Sequence, residues 1–241
     1  MVDHSEWDWL GVVDLNFRDI VQRIGDANMS TGPWVAGGSA RKAWQRMPWR
    51  NGDIDFFFSS RAQFDLFSDR IMDRFGGAYK KFTDRPISQS GHERVDDLWL
   101  PDTVGSDDDS PAGALYVESV YRTQNASTFS IRRKHDDTYH LKIQAVCKRY
   151  YDRVEQLMDD FDFTICQFVT DGSRVWATPL AQADLASKTI RMSPATTRGL
   201  KIRRLVKYTA YGFVPEHELM MAALRNLTGE QTFEAEDDDD Y

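Results

Sequence analysis

Two aspartates with a single residue between them are the first feature of this 241-residue chain that could do chemistry. Asp53 and Asp55 open a run that continues to Phe58, and the aromatic density of this run predicts a β-strand. Because side chains two positions apart on a strand point to the same face, both carboxylates can ligate one metal centre. Phosphoryl and nucleotidyl transfer need such carboxylates to hold a divalent cation against phosphate oxygens.

A glycine turn lies shortly before the aspartates. Gly37, Gly38 and Ser39 follow a short predicted strand at 34–36 and open a short helical stretch. Glycines let a phosphate approach the backbone closely, and the Ser39 hydroxyl could also ligate a triphosphate. Thirteen residues separate Ser39 from Asp53. The sequence therefore predicts a phosphate-binding turn next to a metal-binding strand.

A third carboxylate is expected from a neighbouring strand. Asp162 stands between Phe161 and Phe163 in an apolar segment, so strand alternation would turn its carboxylate to the polar face. Glu118, in a predicted strand over 114–121, satisfies the same argument. The sequence leaves Asp162 and Glu118 as alternatives, and Asp162 is the preferred one.

These motifs together resemble the nucleotidyltransferase-fold superfamily. The nearest form is the Gly-Gly-x-x-Arg motif in the head domains of CCA-adding enzymes and poly(A) polymerases, matched here by Gly37, Gly38 and Arg41. Lys42 stands where those enzymes usually carry aspartate. The segment 161–172 is also similar to uncharacterised nucleotidyltransferase-like proteins of phages and large DNA viruses.

The resemblance implies a fold and a reaction. The fold would be α/β, with a mixed sheet flanked by helices, and the reaction would move a nucleoside monophosphate, AMP for preference, from a nucleoside triphosphate to a hydroxyl. That hydroxyl would belong to RNA, protein or a small molecule, and pyrophosphate would leave. By this resemblance Mg²⁺ or Mn²⁺ would bind Asp53, Asp55 and Asp162, and the triphosphate, ATP for preference, would bind Gly37, Gly38, Ser39, Arg41 and Lys207.

Two departures limit the resemblance. The downstream template motif that selects C and A in CCA-adding enzymes is not found, and the predicted C-terminal helices are too short for their neck, body and tail. Full CCA addition is therefore not expected. The alternative hypothesis is a catalytically inactive module of the same fold that binds nucleic acid or a host protein, since fold alone does not establish activity.

A basic stretch runs from 188 to 207, with seven lysines and arginines and no acid. It is either a solvated helix face or a cationic wall for a triphosphate or an RNA backbone. Lys207 is the best candidate for a phosphate ligand in this stretch, because a lysine after the carboxylates commonly binds triphosphate in the resembled fold.

Local signals predict the elements that must position these residues. Ser60 and Gln63 form a capping-box pattern at the start of a helix that ends near 75, and Asp171 with Gly172 predicts a tight hairpin turn. Pro215 is expected to open a further helix. The remaining predictions are helices over 14–24, 150–158 and 202–210, strands over 127–134, 139–148 and 174–177, and one long strand over 161–169.

The predicted organisation has three parts: a nucleotidyltransferase-like domain over 1–180 with an irregular insertion at about 83–113, a helical segment over 181–229 and a disordered acidic tail over 230–241. The formal charge is −8, but six of the acids lie within the last eight residues. Residues 1–233 carry 32 acids and 30 bases, a net of −2. The negative net charge of the whole chain therefore does not argue against nucleotide or RNA partners.

No apolar run reaches the roughly 18 residues needed to span a bilayer, and the first residues lack the pattern of a signal peptide. No membrane partner is predicted, and the expected location is the cytoplasm, or the host cytoplasm for a phage-encoded chain. The two cysteines, Cys147 and Cys166, lie in apolar stretches and are expected to be reduced thiols.

Overall fold

The computed structural model describes residues 17–47, 53–75, 92–94, 115–133, 136–196 and 199–228. The helices are α1 (Phe17–Asp19, which continues as a π-helix over Ile20–Ile24), α2 (Gly38–Trp44), α3 (Arg61–Phe75), α4 (Val154–Asp159), α5 (Pro179–Ser187), α6 (Ile202–Ala210) and α7 (His217–Thr228), with a 3₁₀ turn at Thr164–Cys166. The strands are β1 (Trp34–Ala36), β2 (Asp53–Phe57), β3 (His92–Arg94), β4 (Leu115–Thr123), β5 (Ala126–Arg133), β6 (Asp136–Val146), β7 (Phe168–Thr170), β8 (Val175–Ala177), β9 (Thr189–Ile190) and β10 (Val214–Pro215).

Eight of these strands form one mixed sheet in the order β3-β4-β5-β6-β2-β1-β7-β8. The strand with the paired aspartates, β2, lies inside the sheet, parallel to β6 and antiparallel to β1. The other neighbouring strands of this sheet pair antiparallel. The predicted class, a mixed sheet flanked by helices, is confirmed.

One face of the sheet packs on α1 and α3. Ile54 and Phe56 of β2 point to this face and are fully buried. The Phe56 ring lies 4.7 Å from the ring of Phe67 on α3, which also stacks edge-on against Phe58 at 5.1 Å. This aromatic contact fixes α3 against β2, and strand alternation then turns the neighbouring aspartates to the opposite face.

The opposite face packs on α4 and changes character along β2. Phe57 is buried there with Trp34 of β1 and Leu157 of α4. Asp53 and Asp55 share this face with Phe57, because all three are separated by two positions. The apolar packing of this face therefore ends at Phe57, and the two carboxylates occupy the rest of this face of β2.

The C-terminal helices pack on the segment around the 3₁₀ turn. Phe163 and Cys166 form an apolar cluster there with Leu205 and Tyr208 of α6 and with Leu219 of α7. Both cysteines are free thiols, as predicted, although Cys147 is only partly buried. This cluster holds the basic helix α6 against the segment that follows α4.

Several local predictions are confirmed. The Ser60 hydroxyl accepts a hydrogen bond from the Gln63 amide at 3.2 Å, and the Gln63 side chain accepts one from the Ser59 amide at 2.9 Å. The Asp171 carboxylate accepts hydrogen bonds from the backbone amides of Ser173 and Arg174 and so shapes the hairpin turn, in which Gly172 has a φ of +86°. These signals are read correctly because each depends on neighbouring residues alone.

The prediction of one long strand over 161–169 is wrong. Residues 164–166 form a 3₁₀ turn, and the strand β7 covers only three residues. Nearly every side chain here is buried, including Thr164, whose hydroxyl donates to Asp184 at 2.6 Å, and Gln167, which donates to the Met158 carbonyl at 3.1 Å. Strand alternation assumes one solvated face, so it misleads where both sides are packed.

Two further differences lie near the C-terminus, and two predictions lie beyond the described residues. Pro215 does not open a helix but pairs in β10 with β9, and α7 begins at His217. Helix α5 lies mostly within the predicted helical segment over 181–229 but begins at Pro179, and no separate helix is predicted with its bounds. Within the predicted insertion only residues 92–94 are described, as β3, and the acidic tail lies outside the described residues.

In the described part of the chain, no helix combines the length and the apolar character that a membrane crossing requires.

The aromatic contact between α3 and β2 predicts that two adjacent residues of α3 contribute very differently to the free energy of unfolding. Phe67→Ala should lower the free energy of unfolding by about 3–5 kcal/mol, because it leaves a cavity beside Phe56 and Phe58. Leu66→Ala, at a side chain that is 59% exposed, should change it by less than about 0.5 kcal/mol. Urea unfolding of both variants measures this, and equal losses would contradict the packing described.

Candidate active site

The site is built on the first half of β2. Asp53 begins the strand and is exposed, whereas Asp55 is half-buried. The Oδ1 atom of Asp55 is buried and has no hydrogen-bond partner in the described structure. A buried carboxylate oxygen without a partner is costly, so this atom marks a place where a cation or a donor can bind.

Two basic residues of α6 influence the pKa of Asp55. The pKa of Asp55 is raised from 3.8 to about 7, first by burial and second by the charge of Asp53, whereas Lys207 and Arg204 oppose the increase. Lys207 and Arg204 therefore lie within electrostatic reach of Asp55. Lys207 is exposed, so its ammonium group is available to an anion that binds next to the carboxylates.

The residues present fit a hard divalent cation. Such cations take oxygen ligands, and Mg²⁺ in particular is held by one or two carboxylates together with waters and substrate phosphates. Asp53 and Asp55 supply the carboxylates on one face, and the buried Asp55 Oδ1, which has no hydrogen-bond partner, could accept a cation as its ligand. Within the described ranges, no three His, Cys, Asp or Glu side chains are grouped so that they could hold a metal ion together.

The glycine turn is joined to this strand by a hydrogen bond. The Ser39 hydroxyl donates to the Asp53 carbonyl at 2.6 Å, which ties the first turn of α2 to the first residue of β2. Gly37 precedes α2 with a φ of +75° and donates its amide to the Phe168 carbonyl at 2.9 Å. A Cβ atom added to Gly38 would meet open space. Of the two glycines, Gly38 is thus the one with room for a ligand.

Arg41, predicted from the resemblance to bind triphosphate, lies in the interior. It is only 7% exposed, and its Nη1 donates to the Ile165 carbonyl at 3.4 Å. Its guanidinium lies 5.3 Å from the ring centres of both Tyr208 and Phe213. These contacts join α2 to α6, and the triphosphate role of Arg41 stays a prediction.

Asp162 precedes the 3₁₀ turn, so it does not share a strand of the sheet with the paired aspartates. Its Oδ2 lies 3.0 Å from Nη1 of Arg204, an ion pair whose N–H direction falls short of a hydrogen bond. Its Oδ1 accepts a hydrogen bond from the Phe163 amide at 2.8 Å. The predicted role of Asp162 as a metal ligand stays a prediction, and the structure shows its carboxylate engaged with a cation of the protein.

The rival carboxylate, Glu118, lies on β4 and pairs with Arg132 of β5 at 3.0 Å. Strands β5 and β6 stand between β4 and β2 in the sheet. Three strand spacings of about 4.8 Å therefore separate the strands of Glu118 and Asp55. This distance is far longer than a metal–oxygen bond, so Glu118 does not share a metal with Asp55 in this structure.

The strand next to the aspartates contributes residues that the motif search missed. In the parallel pair, Lys142 is aligned with Asp53 and Gln144 with Asp55. The electrostatic influence of Lys142 also reaches His140, whose pKa is lowered by burial first and then by Arg132 and Lys142. A signal was present, because polar residues at 140, 142 and 144 alternate with the apolar residues Leu141, Ile143 and Ala145.

Comparison with known proteins identifies the family. Residues 12–188 match the model of the Gabija anti-defense 2 family, and this match covers more than half of the chain. The chain therefore belongs to the Gabija anti-defense 2 family. A comparison with curated protein sequences finds no match.

Solved structures give the fold. The CCA-adding enzyme of Thermotoga maritima complexed with tRNA is similar over 96% of this chain and 47% of its own, with 15% identity and a TM-score of 0.53. A CCA-adding enzyme in an apo form is similar over 88% of this chain and 42% of its own, with 15% identity and a TM-score of 0.50. The chain spans less than half the length of these enzymes. The likeness confirms a nucleotidyltransferase-like fold.

The raised pKa of Asp55 predicts a pH-dependent effect on stability. Because the folded-state pKa of about 7 exceeds the ordinary value of 3.8, the folded protein loses stability as pH rises through this window. Without divalent metal, Asp55→Asn should be more stable than wild type at pH 8, and this advantage should shrink at pH 4. A gain on the order of a few kcal/mol is expected, since one pKa unit corresponds to about 1.4 kcal/mol.

Urea unfolding in EDTA at both pH values measures this difference. Asp65→Asn, at an exposed position of α3, is the matched control and should not reproduce the pH-dependent gain. An Asp55→Asn variant that is less stable than wild type at pH 8 would contradict the burial of an unpartnered carboxylate.

Proposed function

We propose that this member of the Gabija anti-defense 2 family is a metal-dependent nucleotidyltransferase. It transfers a nucleoside monophosphate, AMP for preference, from a nucleoside triphosphate to a hydroxyl group and releases pyrophosphate. The observation that supports this proposal most is the pair of Asp53 and Asp55 on one strand face, with a buried Asp55 oxygen that lacks a partner.

The residues around this pair have complementary roles. Asp53 and Asp55 would hold Mg²⁺ or Mn²⁺, which neutralises negative charge on the phosphate oxygens when it is bound. The open space at Gly38 leaves room for the triphosphate, and Lys207 supplies a positive charge within electrostatic reach of Asp55. The hydroxyl oxygen of the acceptor attacks the α-phosphorus and releases its proton to solvent, and the bond from this phosphorus to the leaving pyrophosphate breaks.

The Ser39 hydroxyl acts indirectly in this scheme. Its hydrogen bond to the Asp53 carbonyl keeps the glycine turn at a fixed distance from the carboxylates. A turn that binds phosphate and a strand that binds metal must keep a constant separation if the α-phosphate is to meet the cation, because small displacements of reacting groups cost much of the rate.

The family suggests where this chemistry is used. We propose that the transferase acts against Gabija defence, with a hydroxyl on RNA, protein or a small molecule of the defended cell as acceptor. The CCA-adding enzyme of Thermotoga maritima, which is similar in fold, is complexed with tRNA, and this is consistent with an RNA acceptor. The family name supports the biological setting, and the carboxylate pair supports the chemistry.

A second candidate function keeps the fold without the chemistry. In it, the chain binds nucleic acid or a defence protein through the exposed basic residues of α6, and no nucleotide is transferred. The engagement of Asp162 with Arg204 favours this candidate, because it leaves two carboxylates where the resemblance implies three. Labelled nucleotide distinguishes the two functions.

Transfer should depend on the paired aspartates. With Mg²⁺ and α-³²P-labelled ATP, GTP, CTP or UTP, wild type incubated with a lysate of Gabija-containing cells should label an acceptor. Asp53→Asn and Asp55→Asn should each lower the labelling at least about hundredfold, since each removes a ligand for the cation. Asp65→Asn is the control with an aspartate outside the site. Equal labelling by wild type and Asp55→Asn would rule out the proposed mechanism.

The same aspartates should be needed in cells. Expression of wild type in bacteria that carry the Gabija system should restore phage plating, whereas Asp55→Asn should not, at equal protein level. Asp65→Asn should behave as wild type. Full restoration by Asp55→Asn would instead favour the second candidate function, in which binding without transfer is sufficient.

A further inference from the structure

The ion pair between Asp162 and Arg204 lies where α6 meets the carboxylate site. We propose that Asp162 is a positioning residue, which fixes α6 through Arg204 so that Lys207 faces the triphosphate side of the site. This inference rests on the proposed nucleotidyl transfer, because it assigns Lys207 to the triphosphate. It gives Asp162 a role other than the metal ligand that the resemblance implies.

Arg204 is held on several sides. Its Nη1 lies 3.0 Å from Asp162 Oδ2, and its Nη2 donates to Cys166 Sγ at 3.5 Å. Its guanidinium also lies 6.0 Å from the ring centre of Phe163. The side chain is 21% exposed, so most of this contact is shielded from solvent. An arginine with these partners determines the rotation of its helix about its own axis.

Asp162 is itself fixed by the backbone. Its Oδ1 accepts a hydrogen bond from the Phe163 amide at 2.8 Å, and its carbonyl accepts one from the Ser193 amide at 2.7 Å. Its side chain is 2% exposed. One carboxylate oxygen therefore accepts a hydrogen bond and the other forms the ion pair, so the buried Asp162 carboxylate acts as a rigid anchor for Arg204.

Helix α6 needs such an anchor. It has nine residues, of which only Leu205 and Tyr208 are buried. Lys207 is exposed and lies three positions after Arg204, and residues three apart on a helix share a side. Any rotation of α6 would therefore move Arg204 and Lys207 together. Because the attraction between a lysine and a phosphate falls with distance, this rotation sets the nucleotide affinity.

The test separates positioning from metal binding. Asp162→Asn alone leaves Arg204 without its partner, which can unfold the protein, so the key variant combines Asp162→Asn with Arg204→Met and removes both charges. The matched control combines Asp184→Asn with Arg191→Met. These residues form another ion pair at 3.3 Å, in which Asp184 is 3% exposed.

Calorimetry with the non-hydrolysable analogue AMPCPP in Mg²⁺ gives the first readout. We expect the Asp162/Arg204 double variant to bind the analogue about tenfold more weakly than wild type, and the control double variant to bind it as wild type does. Lys207→Met should cause the same loss. Adding Lys207→Met to the double variant should cause no further loss, because both act through one contact.

The second readout separates metal from nucleotide. The Mg²⁺ concentration for half-maximal labelling, measured at saturating nucleotide, should be unchanged in the Asp162/Arg204 double variant. In the same variant the KM for the nucleotide should rise, whereas kcat should be retained. In wild type, AMPCPP should protect Lys207 from an amine-reactive label, and this protection should be lost in the double variant.

Four results would overturn the inference. Wild-type affinity in the Asp162/Arg204 double variant, or losses that add when Lys207→Met is combined with it, would show that Asp162 does not act through Lys207. A large increase in the Mg²⁺ requirement of that variant would make Asp162 a metal ligand. If wild type itself does not bind AMPCPP, the proposed function fails and the inference fails with it, whereas the first three results leave transfer at Asp53 and Asp55 intact.

Discussion

The burial of one ionisable carboxylate on an inner strand is the constraint on which this site depends. Asp55 would be easier to accommodate at the surface, yet its Oδ1 is buried without a partner and its pKa is raised to about 7. A second carboxylate two positions away on the same face increases the unfavourable charge. A bound cation would therefore stabilise this part of the fold, and in the proposed function that cation, the open turn and Lys207 would together bind the polyphosphate.

The rest of the structure keeps this carboxylate in place. The packing of Phe56 on α3 sets which face of β2 the aspartates occupy, and Ser39 ties the turn at Gly38 to the start of the same strand. Helix α6 contributes Lys207 and is joined to Asp162 by Arg204. Each of these contacts joins segments distant in sequence, so the site exists only in the folded chain.

The sequence predicted the parts of this site that depend on neighbouring residues. The spacing of Asp53 and Asp55 and the flexibility of Gly37 are local properties, and the strand and the turn formed as expected. The pairing of Asp162 with Arg204 spans more than forty residues and carries no local signal. Alternation failed around Asp162 because that segment is buried on all sides, as the 1% exposure of Asp162 itself shows.

The most direct test of the account is an NMR titration of the Asp55 carboxyl carbon, with Asp55→Asn used to assign the signal. Without metal, the pKa of Asp55 should be about 7, and Mg²⁺ with AMPCPP should lower this pKa strongly, because the cation stabilises the ionised carboxylate. A metal-free pKa near the ordinary 3.8 that does not respond to Mg²⁺ and nucleotide would contradict the central claim.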